Sequence, residues 1–197
     1  MRKHCILLVG FLLGAGLGWG QNQALDKLQT AQTLFDSLRY QEAASLAKGV
    51  LSAQKNPEIN AQALILLGDI AIEQADFPNA KAYFLRSLKQ LQAFQKKGHP
   101  LIAQAWNNLG EYELKLDNFG KAIQWHQNAL KLRTVLFGEK HEKTADSYNN
   151  IGNCQLKLGD YAGAQRMHQQ ALRIRQAILP PHHADIAVSH NNLGNCA

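Results

Sequence analysis

One stretch of this chain is written twice. Trp106-Asn107-Asn108-Leu109-Gly110 returns as Tyr148-Asn149-Asn150-Ile151-Gly152, an offset of 42 residues. The same offset carries Leu114-Lys115-Leu116 onto Leu156-Lys157-Leu158, Phe119 onto Tyr161, Ala122 onto Ala164, His126 onto His168 and Arg133 onto Arg175. One period back from Gly110 lies Gly68, with Phe77, Ala80 and Ser87-Leu88 in register; one period forward lies Gly194, in His190-Asn191-Asn192-Leu193-Gly194. A weaker first copy has Ala31 at the glycine position, Tyr40 at the aromatic one and Ala43 at the alanine. Self-similarity at a fixed period of this length implies stacked supersecondary units, each burying its apolar face against its neighbours.

Within each unit the apolar residues fall at helical spacing. Ile102, Ala105, Trp106, Leu109, Tyr112 and Leu116 recur every three or four residues, which marks a helix face, and Asp117-Asn118 breaks it. A second helix follows from about Phe119 to Phe137, and Gly159-Asp160 is the equivalent breaker one unit on. Gly110, Gly152, Ala122 and Ala164 lie inside helices. A glycine there costs about 1 kcal/mol against alanine, so its recurrence implies that two helix backbones approach closely. The predicted fold is an all-α solenoid of helical hairpins. Its repeats span 24–56, 57–98, 99–140 and 141–182, with a partial fifth over 183–197.

The pattern resembles the tetratricopeptide repeat, and its long period is similar to the repeats of kinesin light chains. Trp106, Leu109, Gly110 and Ala122 match the W-x2-L-G and A positions of the consensus. Glu113 and Gln155 stand where it has tyrosine, and His126 and His168 where it has phenylalanine. The resemblance implies a right-handed superhelix and a protein-interaction scaffold, whose first helices line a concave groove for a partner peptide or for the rest of its own chain. It also implies an alternative, because arrays of this kind often precede an effector domain. The chain would then be the sensor half of a longer exported enzyme, such as a caspase-like CHAT protease or a signalling kinase.

Residues 1–20 read as a secretory signal rather than fold. Arg2-Lys3 precede an apolar, glycine-bearing run from Cys5 to Leu17, and Gly18-Trp19-Gly20 offers small residues for cleavage before Gln21. The run is too short for a convincing membrane span, so no stable membrane insertion is expected after cleavage. Location would then be periplasmic, cell-surface or secreted. Loss of Arg2 and Lys3 leaves a mild positive charge from the +6 of the whole chain. The remaining cations, among them Lys96, Lys97, Lys115, Lys121, Lys131, Arg133, Lys140 and Lys143, are spread out. They read as solvated surface, not as the clustered face that nucleic acid requires. Cys154 and Cys196 share one repeat position. Adjacent layers stand roughly 10 Å apart, beyond the roughly 7 Å reach of a disulfide, so no bridge is expected between them. Ile186, Ala187, Leu193 and Cys196 leave an apolar side with no helix after it, which suggests that the sequence continues in a longer protein.

Chemistry is sparse. There is no nucleophile elbow, phosphate loop or H-E-x-x-H, and neither enzyme activity nor a cofactor is expected. His99, His141 and His183 repeat at the loop before each first helix. Residues one layer apart cannot share a zinc ion with bonds of roughly 2 Å, so they read as loop or cap residues. His126 and His168 read as half-buried packing residues. The asparagines carry more information, because asparagine is a poor helix former and a pair recurs in three successive units. On each first helix, i and i+4 positions share a stripe. It reads Asn107, Glu111, Lys115, then Asn149, Asn153, Lys157, then Asn191, Asn195, and the second amides Asn108 and Asn150 lie closer to the seam. Ile65, Asp69 and Glu73 give the preceding unit an apolar and acidic end. An amide both donates and accepts, so these residues either hold a peptide backbone or bond between neighbouring helices.

Overall fold

The computed structural model describes residues 19–53, 55–94 and 98–196. The expected signal segment falls outside them up to Leu17 and Gly18, and the expected cleavage point between Gly20 and Gln21 lies within the first helix. The described residues form an all-α repeat solenoid, made of the helices α1 (Trp19–Asp36), α2 (Tyr40–Ala53), α3 (Pro57–Glu73), α4 (Phe77–Phe94), α5 (Pro100–Lys115), α6 (Phe119–Phe137), α7 (Glu142–Lys157), α8 (Tyr161–Ile178) and α9 (Ala184–Gly194). They belong to two compact units divided after Phe94. Among the described residues no helix is long and apolar enough to cross a membrane.

In the first unit the core joins Leu28, Ala31 and Phe35 of α1, Ala43, Ala47 and Val50 of α2, and Ile59, Ala63, Leu66 and Ile70 of α3. The α3 helix is apolar nearly all round and is buried accordingly. Ile65, expected at an open face, is buried; of its stripe only Asp69 and Glu73 reach solvent. In the second unit α5 packs on α6, α6 on α7, α7 on α8 and α8 on α9. Its buried strip runs through Leu109, Ala122, Ala129, Ala145, Ile151, Cys154, Ala164 and Ala171. Cys154 and Cys196 are free thiols.

The hairpin turns share one backbone device. Leu38, Ala75, Asp117 and Gly159 all have positive φ, at 62°, 57°, 57° and 78°. In each, the next residue's N–H returns to the carbonyl five residues back: Arg39 to Leu34, Asp76 to Ala71, Asn118 to Glu113 and Asp160 to Gln155. This is the Schellman ending of a helix, whose left-handed position favours glycine. Only the last turn has one. Leu38 is the poorest fit, and its side chain is 71% exposed, so it gains little by packing. Leu38→Gly should therefore raise stability by about 1 kcal/mol, read as a higher urea midpoint with unchanged helicity. A lower midpoint would mean that the leucine side chain contributes more than its exposure indicates.

From α3 on, the first helix of each hairpin starts at a side-chain cap. Nδ1 of His99, His141 and His183 accepts from the backbone N–H of Leu101, Lys143 and Asp185 at 3.2, 3.1 and 3.2 Å. The repeated histidines are thus N-caps, a task usually given to Ser, Thr, Asp or Asn, and His141 also stacks on Phe137. At α3 the same place is taken by Asn56, which accepts from Glu58 and Ile59.

The helix glycines have a different cause from the one expected. A Cβ on Gly110 would stand 2.5 Å from the ring of His126, and one on Gly152 2.7 Å from that of His168. At Gly68 the obstacle is the ring of Phe84. Each glycine is a seat for a ring from the second helix of its own hairpin, not a point where two backbones meet. In the first hairpin the equivalent pair is Ala31 and Ala47, both wholly buried, so the space is divided differently.

Candidate functional site: the asparagine face

Three first helices, α5, α7 and α9, bring the repeated amides to one side of the second unit. Asn107, Asn108, Glu111, Asn149, Asn150 and Asn153 are half-buried there, and Lys115, Lys157, Asn191 and Asn195 are exposed. The amides join in a ladder. Asn150 donates through Nδ2 to Oδ1 of Asn107 at 3.0 Å, and Asn192 donates to Oδ1 of Asn149 at 2.7 Å. The first asparagine of one layer is thus tied to the second asparagine of the next. In these two bonds each asparagine uses one end of its amide. Nδ2 of Asn107 and Asn149 makes no hydrogen bond among the described residues. Lys115, Asn153, Lys157 and Asn195 likewise make no side-chain bond there.

Beneath the ladder lies a cation. Arg133 is only 6% exposed and Arg175 only 5%, so the surface position expected for Arg133 is corrected: its guanidinium is enclosed at the seam. Nη1 of Arg133 donates to Ser147 Oγ at 2.7 Å, to the Lys143 carbonyl at 3.2 Å and to Asn107 Oδ1 at 3.4 Å. Arg175 repeats this with Ser189 Oγ at 2.8 Å and the Asp185 carbonyl at 3.3 Å. Its Nη2 also donates to Asp146 Oδ1 at 2.9 Å. The corresponding place below Arg133 is taken by Gln104, and Arg133 instead feels the Asp146 charge from farther off. Burial pulls the Arg133 pKa down, and Asp146 partly offsets this; arginine stays charged in either case. A buried charge is tolerated only with such partners.

Sequence reasoning missed Arg133, Arg175, Ser147, Ser189 and Asp146 as a group. The signal was present, since Arg133 and Ser147 recur at the repeat offset as Arg175 and Ser189. Residue type pointed the other way, because arginine is mostly exposed. Glu113 and Gln155, at the consensus tyrosine place, also have a shared task. Asn118 donates to Glu113 at 2.9 Å and Gln155 to Asp160 at 3.1 Å, each closing its hairpin turn with donor and acceptor exchanged. No group of three or more His, Cys, Asp or Glu side chains is placed to hold a metal among the described residues.

Family models described as tetratricopeptide repeat match residues 28–91 and 101–177, together more than half of the chain. The chain is a tetratricopeptide repeat protein. Among solved structures it is similar to BtubC (BKLC) from P. vanneervenii, with a TM-score of 0.76 and 25% identity over 84% of this chain and 68% of that one. It also resembles the TPR-like repeats of a putative kinesin light chain from Podosopora anserina, with a TM-score of 0.72 over 88% of this chain and 85% of that one. There the identity is 12%, so the likeness is one of fold. No curated protein sequence matches the chain. Tetratricopeptide repeats generally mediate contacts between proteins and are generally non-catalytic.

Proposed function

We propose that this tetratricopeptide repeat protein is a non-catalytic scaffold that holds a segment of a partner protein along the α5–α7–α9 face. The observation that carries this reading is the half-used amide. The ladder fixes Oδ1 of Asn107 and Asn149 and so orients each carboxamide. Nδ2 is left as an unused donor on α5 and on α7. An oriented donor binds a peptide carbonyl without the ordering cost that a free side chain would incur. A peptide backbone supplies carbonyls at regular intervals whatever its side chains, so the ladder provides general grip. Selectivity would then come from Glu111, Lys115 and Lys157 beside it.

The test is peptide-library binding to residues 21–197, with circular dichroism as control. Asn107→Ala/Asn149→Ala should lose about tenfold in affinity for the selected peptides, as expected for two hydrogen bonds of about 0.7 kcal/mol each. Asn150→Ala/Asn192→Ala breaks the same ladder bonds but leaves both open donors, and should lose far less. Equal losses in the two variants would make the amides purely structural. No selection by the wild type would remove the peptide reading altogether.

A further inference from the structure

We infer that His126 and His168 form a built-in acid-sensitive latch, which loosens the hairpins α5/α6 and α7/α8 on acidification while α3/α4, latched by a phenyl ring, stays closed.

The geometry comes first. Both imidazoles are 0% exposed, and neither Nδ1 nor Nε2 of either ring has a hydrogen-bond partner. Four buried ring nitrogens without partners are unusual, since buried polar groups are nearly always bonded. A phenyl ring would fill the same seat at no such cost, and Phe84 does so over Gly68. The two histidines thus introduce, in consecutive layers, a side chain that fits only when neutral. An added proton brings a charge and a second N–H donor into a space with no acceptor. The ring must then leave its seat, and the seat is the contact between the two helices of the hairpin.

The surrounding charges do not relieve this. The charge that acts on His126 is the Arg133 cation on its own helix, and His168 has Arg175 in the same relation. Like charge disfavours protonation. The flanking helices carry Glu111 and Glu113 on α5, Asp146 on α7 and Asp185 on α9, and none of these carboxylates bonds to either ring. Asp146 is already engaged by Arg175. Burial, with the arginine charge added, holds the His126 pKa down at about 3, and His168 is shifted in the same direction. The sign follows by linkage. The unfolded chain takes up protons near the ordinary imidazole value of about 6.5 and the folded chain does not. Stability is therefore whole above that value and is lost as pH falls from it toward 3.

The experiment compares the full chain with His126→Phe/His168→Phe by hydrogen exchange and mass spectrometry between pH 7 and pH 4.5, corrected for intrinsic exchange. In the wild type, the opening constant of α5–α8 peptides should rise by up to about a hundredfold per pH unit relative to the variant, one tenfold factor for each histidine. Peptides of α3 and α4 should show no such difference. The capping histidines are present in both proteins, so their contribution cancels. Identical pH dependence in the two proteins overturns the inference. Should the variant fail to fold, ring-carbon NMR of the wild type decides it: both imidazoles should be neutral in the folded protein at pH 5, and a folded signal protonated there overturns the latch.

Discussion

Gly110→Ala should destabilise the second unit by about 2 kcal/mol, although alanine is the better helix former. The propensity gain is about 1 kcal/mol, while forcing an extra carbon into a filled seat costs about 1–3 kcal/mol and occasionally more. Steric overlap should win here because the obstacle is a wholly buried ring whose atoms stand 2.5 to 2.7 Å from the new Cβ. His126→Ala alone leaves a cavity. The pair Gly110→Ala/His126→Ala reproduces the division of space that Ala31 and Ala47 use in the first hairpin. It should therefore lose less than the two single variants together, by a coupling of about 1–2 kcal/mol. Urea unfolding of the four proteins measures this directly. Strict additivity would show that the glycine does not exist for the sake of the ring.

Asp146→Ala should be the second large effect, at about 2 kcal/mol. Removing one member of a buried ion pair commonly costs about 3–5 kcal/mol, because the other charge is stranded. The Asp146 side chain retains a third of its exposure (33%), so the figure is reduced for solvent screening. The stranded group is the Arg175 guanidinium, whose Nε already lacks a partner, and Arg133 loses the same favourable charge. Arg175→Met should cost less, because it removes the buried cation and leaves Asp146 able to turn to water. Thermal or urea unfolding that ranked the two variants the other way would mean that Ser189, not Asp146, is the partner that matters to Arg175.

The fold could be read from the chain because a solenoid is encoded by translation. Each apolar position is written several times, so Leu109 and Ile151, or Ala122 and Ala164, confirm one another in a way that no single amphipathic helix can. The breakers at Asp117-Asn118 and Gly159-Asp160 were readable for the same reason. What the sequence did not disclose was which side chains share a seam. A lone arginine reads as solvated surface, and only the position of Ser147 on the next helix shows that Arg133 has an enclosed partner. Gly110 pointed to a close contact, yet whether a backbone or a ring fills the space depends on the rotamer of His126. Histidine at the consensus aromatic place implies half-buried packing, yet His126 and His168 are wholly buried. For the asparagines, spacing established that they line up. It did not reveal that one end of each amide is committed to the next layer.

That ladder has a consequence for how such a chain can change length. Each rung joins a residue type in one layer to a residue type in the next, and every layer carries both halves, acceptor on the first asparagine and donor on the second. Removing residues 139–180, which hold α7 and α8, would bring Asn107 opposite Asn192 and Arg133 opposite Ser189. Each pairing has the same chemistry as the one it replaces. Whole layers are therefore interchangeable parts, and recombination within the coding sequence can shorten or extend this face in steps of one hairpin without any new interface having to be invented.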